Sequence, residues 1–156
     1  MRKMFVLAGV VAASLSMPSV AQPDFSRNPS FGTVNLRSGF VPDPRVVPVT
    51  AGGQLDAGTI SPGCLGSVAN APDVRVNYTA GSLPLIFSVS SSDDTTLVIN
   101  GPDGTWHCDD DGGEQGLNPA IRFNNPQSGQ YDVYIGHYGQ GRRIPARLYI
   151  SEVGSQ

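Results

Sequence analysis

From residue 95 to residue 138 the chain reads TTLVINGPDGTWHCDDDGGEQGLNPAIRFNNPQSGQYDVYIGHY, and this stretch decides the fold. Apolar and polar residues alternate through Tyr131, Val133 and Ile135, which is the period of a half-buried β-strand. Turn-forming residues separate such segments at 102–104 and at 124–129. Short alternating segments joined by tight turns predict antiparallel strands that each bury one face.

The same alternation continues on both sides of this stretch, around Val76, Phe87 and Leu148. With 19 glycines and 13 prolines, the chain is rich in turns and poor in long helix candidates. The sequence therefore predicts an all-β fold, an antiparallel β-sandwich or a jelly roll, over residues 51–156. Residues 22–50 are proline-rich and weakly patterned, and we interpret them as an extended N-terminal arm with a short strand around residues 45–50.

Residues 1–21 have the pattern of a cleavable secretory signal peptide. Its apolar segment is too short to span a bilayer, so insertion into a membrane is not expected. Cleavage would remove Arg2 and Lys3 from the 10 basic residues, leaving 8 against 13 acidic ones and no lysine. A net charge of −5 disfavours nucleic acid as a partner. We expect an exported protein, periplasmic in the first place, with the extracellular space as the alternative.

The chain has two cysteines, Cys64 and Cys108. In an oxidising compartment a pair of cysteines favours a disulfide. Two buried free thiols or a redox pair are the alternatives, although no C-x-x-C spacing supports a redox pair. A disulfide that closes a loop of this length would stabilise the fold by ~4 kcal/mol.

The densest group of acidic residues lies between the two main turns. Carboxylates in loops between strands are suitable ligands for hard cations such as Ca²⁺. The predicted ligands are Asp103, Asp109, Asp111 and Glu114. Another hard cation and a solvated turn without metal are the alternatives. A zinc site is less favoured, because the sequence has only His107 and His137, far apart.

Aromatic residues of the same stretch form a second candidate site. Tyr134 and Tyr138 share the outward side of their predicted strand, and Trp106 lies in a nearby segment. Exposed aromatic rings could form a ligand face for a sugar or a peptide, or the rings could pack under a loop or the N-terminal arm. Tyr131, at the start of its strand, is interpreted as the tyrosine that fixes a sandwich corner.

The order of segments from residue 85 to residue 153 resembles the bacterial pre-peptidase C-terminal domain. The resemblance is carried by the apolar strand 85–89, Asp93-Asp94, the strand and turn 96–104, the acidic loop 109–114, and the SGQYDVYI strand 128–135. The resemblance implies a secreted β-sandwich of a kind often appended to exported hydrolases. It also makes calcium binding at a sandwich loop an expectation, because some members of that family bind calcium there. The chain also resembles a group of small stand-alone exported proteins built around that module, and we expect no peptidase domain before it.

These patterns predict a non-catalytic binding or structural module with a protein or glycan partner. No catalytic residue is assigned, because the sequence has no G-x-S-x-G motif, and Ser128 and the serines at 90–92 lie in apparent turns. Two alternatives stay open: a small secreted hydrolase, and an adhesion or matrix component that uses the aromatic face. Arg142 and Arg143 are interpreted as a solvated basic tip of a loop.

Overall fold

The computed structural model describes residues 21–139 and 141–156. The predicted signal peptide lies outside these residues, apart from Ala21. The described chain consists of eleven strands and one short 3₁₀ turn at Ala57–Thr59. The strands are β1 (Thr33–Arg37), β2 (Arg45–Ala51), β3 (Leu55–Asp56), β4 (Ser67–Val68), β5 (Val74–Thr79), β6 (Leu85–Ser90), β7 (Thr95–Asn100), β8 (Trp106–Asp109), β9 (Ala120–Phe123), β10 (Gly129–His137) and β11 (Ile144–Ser151).

The strands form two sheets, of seven and four strands. In the larger sheet, β10 pairs with β5 along its first half and with β7 along its second half, and β8 continues the sheet beyond β7. The smaller sheet has the order β2-β11-β6-β9 and is antiparallel throughout. The predicted all-β sandwich is therefore confirmed.

The predicted arm contributes a strand to each sheet. The strand expected around residues 45–50 is confirmed as β2, which pairs with β11. The strand β1 was not predicted, and it pairs with β5 in parallel, from Thr33↔Arg75 to Arg37↔Thr79. This edge pair is parallel within sheets whose other described strand pairs are antiparallel. A parallel pair needs a long crossover connection, and here the chain passes through the other sheet before it reaches β5.

The main core lies between the sheets and follows from the period of two. Leu85, Phe87 and Val89 of β6 are fully buried and share a core cluster with Tyr131 and Val133 of β10. The rings of Phe87 and Tyr131 lie 5.6 Å apart between centroids. Burying one such side chain contributes about 1.5–3 kcal/mol, so these alternating positions supply most of the driving force for the sandwich.

A tyrosine corner fixes the start of β10. The Tyr131 hydroxyl donates to the backbone carbonyl of Gln127 (2.9 Å) and accepts from the backbone N–H of the same residue (3.0 Å). The ring is 1% exposed, so the hydroxyl reaches the turn from inside the core. The predicted structural role of Tyr131 is confirmed.

A second apolar cluster lies on the outer face of the seven-stranded sheet. It contains Tyr134, Val98 and Val68, covered by the segment that carries Ala57 and Cys64. The predicted disulfide is confirmed: Cys64 is bonded to Cys108 of β8, with a Cα–Cα distance of 5.2 Å. The disulfide therefore fastens the covering segment to the sheet.

The N-terminal segment before β1 lies against the same sheet. The backbone N–H of Asp24 donates to the Asn70 carbonyl (2.7 Å), and Ser30 N–H donates to the Pro72 carbonyl (2.8 Å). Arg75 donates to the Phe25 carbonyl (2.6 Å) and also forms an ion pair with the buried Asp132.

No helix in residues 21–139 and 141–156 is long and apolar enough to cross a membrane.

Candidate functional site

The acidic loop between β8 and β9 is closed by Asp109. One carboxylate oxygen, Oδ2, accepts from the N–H of Gly112 (2.7 Å) and from the N–H of Ala120 (2.9 Å). A Cβ atom on Gly112 would lie 2.6 Å from that oxygen, so a side chain at this position would displace the carboxylate. Asp109 therefore caps the loop and fixes the start of β9.

Asp103 does not reach the acidic loop. It lies in the β7–β8 turn, where its Oδ1 accepts from the Thr105 N–H (2.9 Å). The hydrogen bonds of Thr105 hold the pKa of this carboxyl below its usual value. Asp109 lies at the other end of the four-residue strand β8, opposite Leu97, and the two ends of this strand are about 10 Å apart. The prediction that Asp103 joins Asp109 across the turn is wrong.

Asp111 and Glu114 belong to the exposed side of the same loop. The backbone N–H of Glu114 donates to the Gln156 carbonyl (3.1 Å), which ties the loop to the C-terminal segment. Within the described residues, no three His, Cys, Asp or Glu side chains form a group that could hold a metal ion. Calcium binding by this loop stays a prediction, and the geometry of the loop gives it no support.

The predicted aromatic face is mostly covered. Tyr134 is fully buried, and burial raises the pKa of its hydroxyl. Its ring contacts Trp106 (5.7 Å between centroids), and Trp106 in turn contacts Phe25 of the N-terminal segment (6.2 Å). Of the three residues predicted to form the face, only Tyr138 is largely exposed, at 53%. The expectation of an exposed face is wrong for Tyr134, and the alternative, packing under the N-terminal arm, describes Trp106 and Tyr134.

A cleft of about 440 Å³ opens at the end of the sandwich where β2, β4 and β10 end. We call it the end cleft; it is lined by residues 53–55, Ala69, Asn70, Gly141 and Arg143. Its walls are held by backbone contacts. The Gly52 N–H donates to the Ile135 carbonyl (2.8 Å), and a Cβ atom on Gly53 would lie 2.0 Å from the Val68 carbonyl oxygen. Glycine at these positions lets the walls approach closely.

Arg143 supplies the positive charge of the end cleft. The neighbouring Arg142 instead faces Asp93, at 3.7 Å between Nη1 and the carboxylate. Asp73, whose carboxyl feels the Arg143 charge, is 2% exposed, and its Oδ2 accepts from the Ile135 N–H (2.7 Å). Burial raises the pKa of Asp73 to about 7, against the lowering effects of this hydrogen bond and of the Arg143 charge.

The residues of the end cleft were not predicted as a site. Arg143 had been interpreted as a solvated tip, and Gln54 and Asn70 carry no motif in the sequence. Their convergence depends on three chain segments that are distant in sequence. The one sequence signal was the Ala51-Gly52-Gly53 turn, because paired glycines often mark a close approach of backbones.

Comparisons with known proteins assign no family. No protein-family model matches the chain, and no curated protein matches it. Among solved structures, the chain is similar to PliG of Aeromonas hydrophila, a periplasmic lysozyme inhibitor of g-type lysozyme. The identity is 11%, the match covers 76% of this chain and 96% of that chain, and the TM-score is 0.37. A likeness at this level assigns neither a family nor a function.

Proposed function

We propose that this chain is an exported, non-catalytic binding module, built like the pre-peptidase C-terminal domain that its sequence resembles. Its partner would be a protein, bound at the end cleft. The observation that carries the proposal is the cleft itself, a hollow of about 440 Å³ at the loop end of a β-sandwich, with Arg143 in its lining. Ligand sites commonly have volumes of this order, and sandwich domains often bind partners through loops at one end.

The chemistry of the lining supports a partner that presents a carboxylate. The Arg143 guanidinium offers a fork of N–H donors, and the amides of Gln54 and Asn70 add neutral donors beside it. An arginine–carboxylate contact with two parallel hydrogen bonds is among the stronger polar interactions. Because backbone contacts hold the cleft walls in place, little backbone entropy would be lost on binding. We therefore propose a peptide segment with a free carboxylate as the bound group.

Short peptides with free or amidated C termini test this proposal by calorimetric titration of the oxidised chain, residues 22–156. The free-carboxylate peptides should bind, and Arg143→Ala should weaken that binding at least tenfold. Arg142→Ala is the matched control, because Arg142 lies beside Arg143 but faces Asp93 instead of the cleft. Equal binding of both peptide forms, or equal effects of the two arginine variants, would contradict the assignment.

The same samples distinguish binding from hydrolysis. After the titration, mass spectrometry should recover the peptides intact, as expected for a non-catalytic module. Cleavage products that vanish with a single Ser, His or Asp substitution would identify the alternative, a small secreted hydrolase.

Export to the periplasm is the remaining part of the proposal. It is supported by the signal-peptide pattern of residues 1–21 and by the Cys64–Cys108 disulfide, a bond that persists in oxidising compartments. Cell fractionation followed by N-terminal sequencing tests it. A mature chain that begins near Gln22 and is released by osmotic shock is the expected result, and an uncleaved chain in the cytoplasm would refute export.

A further inference from the structure

A row of amide side chains crosses three strands on the outer face of the seven-stranded sheet. Asn35 of β1 is in register with Asn77 of β5, and Asn77 is in register with Gln130 of β10. All three residues are exposed. The Asn77 Nδ2 donates to the Asn35 Oδ1 (2.9 Å), and the Gln130 Nε2 donates to the Asp132 Oδ2 (2.7 Å). These bonds hold the amides in defined orientations before any ligand arrives.

An open hollow of about 480 Å³ lies over this amide row. Its lining includes the three amides and the side chains of Arg37 and Thr79. The hollow is distinct from the place where the N-terminal segment lies. That segment accepts hydrogen bonds from Arg75, which precedes Asn77 by two residues on the same face of β5. The hollow shares no lining residue with the end cleft, so the two sites can be tested separately.

The donors and acceptors of the row suit hydroxyl groups. Each primary amide has two N–H donors and a carbonyl oxygen with two lone pairs. The Asn35–Asn77 bond uses one donor and one acceptor position, so both amides can still bond outward. Neighbouring hydroxyls on a sugar ring present a donor and an acceptor side by side, which is the pattern that one amide can satisfy.

The spacing and charge of the row narrow the class of ligand. Neighbouring strands lie about 4.8 Å apart, close to the length of one pyranose ring in an extended glycan chain. Among the residues that the structure describes, no carboxylate lines the hollow, and the one charged side chain in its lining is Arg37. A nucleic acid would need several cations to replace its counterions. An extended peptide would more naturally pair with the backbone at the outer edge of β1 than with amides on the sheet face.

We infer that the amide row binds a neutral, extended oligosaccharide whose successive rings lie over Asn35, Asn77 and Gln130. Arg37 and Thr79, a registered pair on the same two strands, donate to hydroxyls at the rim. This inference concerns a second site and is independent of the end cleft.

The test is a titration of the oxidised, ¹⁵N-labelled chain, residues 22–156, with two glucose hexamers. Cellohexaose is β-linked and extended, and maltohexaose is α-linked and coiled. Cellohexaose should move the side-chain amide resonances of Asn35, Asn77 and Gln130 saturably, and maltohexaose should bind at least tenfold more weakly. Asn77→Ala should reduce cellohexaose binding at least tenfold. Asn28→Ala, an exposed asparagine outside the row, should leave it unchanged.

Three results would overturn the inference. They are no saturable shift with cellohexaose, equal binding of the two hexamers, and full binding by Asn77→Ala. Preserved backbone resonances in the variant would show that it is folded, so a loss of binding would reflect the amide. A response of β1 backbone resonances to an extended peptide, with none to cellohexaose, would assign the face to a peptide instead. None of these results would bear on the Arg143 experiment.

Discussion

Replacing Asp73 with asparagine should remove a pH dependence from the stability of this fold. The carboxyl is 2% exposed and accepts a hydrogen bond from the Ile135 N–H. Burial raises its pKa from 3.8 to about 7. Asparagine keeps a carbonyl oxygen that can accept the same hydrogen bond, but it cannot ionise. The substitution therefore removes the charge with little change in shape.

The sign and the size of the effect follow from the two pKa values. Between pH 3.8 and about pH 7 the folded chain keeps a proton on Asp73 that the unfolded chain has lost. This contribution to stability is complete below pH 3.8 and is lost as the pH rises through the folded pKa. At 1.36 kcal/mol per pH unit, the loss is ~4 kcal/mol, a large part of the 5–15 kcal/mol typical of a domain.

The assay is urea unfolding of both proteins between pH 4 and pH 8, followed through the fluorescence of Trp106, the single tryptophan. The stability of Asp73→Asn relative to the wild type should rise by most of ~4 kcal/mol across this range. Other carboxylates contribute equally to both proteins and cancel in the difference. Asp103→Asn is the control, because its carboxyl is exposed and has a lowered pKa, so its difference curve should not rise in this window.

The reasoning would be refuted if the stability difference between Asp73→Asn and the wild type stayed constant to about 0.5 kcal/mol from pH 4 to pH 8. Asp73 would then be ionised in both the folded and the unfolded chain. Arg143→Ala provides a second check. The Arg143 charge lowers the pKa of Asp73, so its removal should move the pH dependence to higher pH.

Three further predictions concern the disulfide, the tyrosine corner and the acidic loop. Replacing both Cys64 and Cys108 with alanine should lower the free energy of unfolding by ~4 kcal/mol, because the disulfide joins residues 44 apart in sequence. An unchanged urea midpoint would show that the disulfide does not restrict the unfolded chain. Tyr131→Phe, which removes both corner hydrogen bonds, should cost about 1–3 kcal/mol. Tyr138→Phe, at an exposed site, should stay within about 0.5 kcal/mol, and equal costs for the two tyrosines would count against the corner. Asp109→Ala should lower the thermal midpoint by the same amount with calcium and with chelator, because it removes the loop cap. If calcium raised the thermal midpoint of the wild type but not of Asp109→Ala, the loop would be a calcium site.

Local pattern was sufficient where burial follows from the strand itself. The alternation around Phe87 and Leu148 identified β6 and β11, because these strands bury their apolar residues in one shared core. Tyr131 could be assigned to a corner because the turn that it bonds lies only four residues away. The disulfide followed from the number of cysteines and the compartment rather than from geometry.

Local pattern failed where a distant segment covers a strand. The position of Tyr134 in the alternation pointed to the outer face, and that position is correct. Its burial comes from the segment around Cys64 and, through Trp106, from Phe25. Nothing near residue 134 in the sequence encodes that cover.

The acidic run misled for a related reason. A carboxylate that could bind a cation is equally suited to accept backbone N–H groups, and Asp109 does so for Gly112 and Ala120. Ala120 is eleven residues away and begins the next strand. Sequence composition reports the number of carboxylates but not the number of N–H groups that the turn brings to them.

The covering segments also determine where a partner can bind. On the larger sheet, residues before β1 and around Cys64 pack over the aromatic residues near Tyr134. On the smaller sheet, the C-terminal segment reaches β6, where the Gln156 N–H donates to the Ser88 hydroxyl (3.1 Å). Both hollows proposed as sites have linings that include amides and an arginine, Arg143 in one and Arg37 in the other. If both proposals hold, recognition at each site would use directional hydrogen bonds from these amides and arginines, which favour specificity.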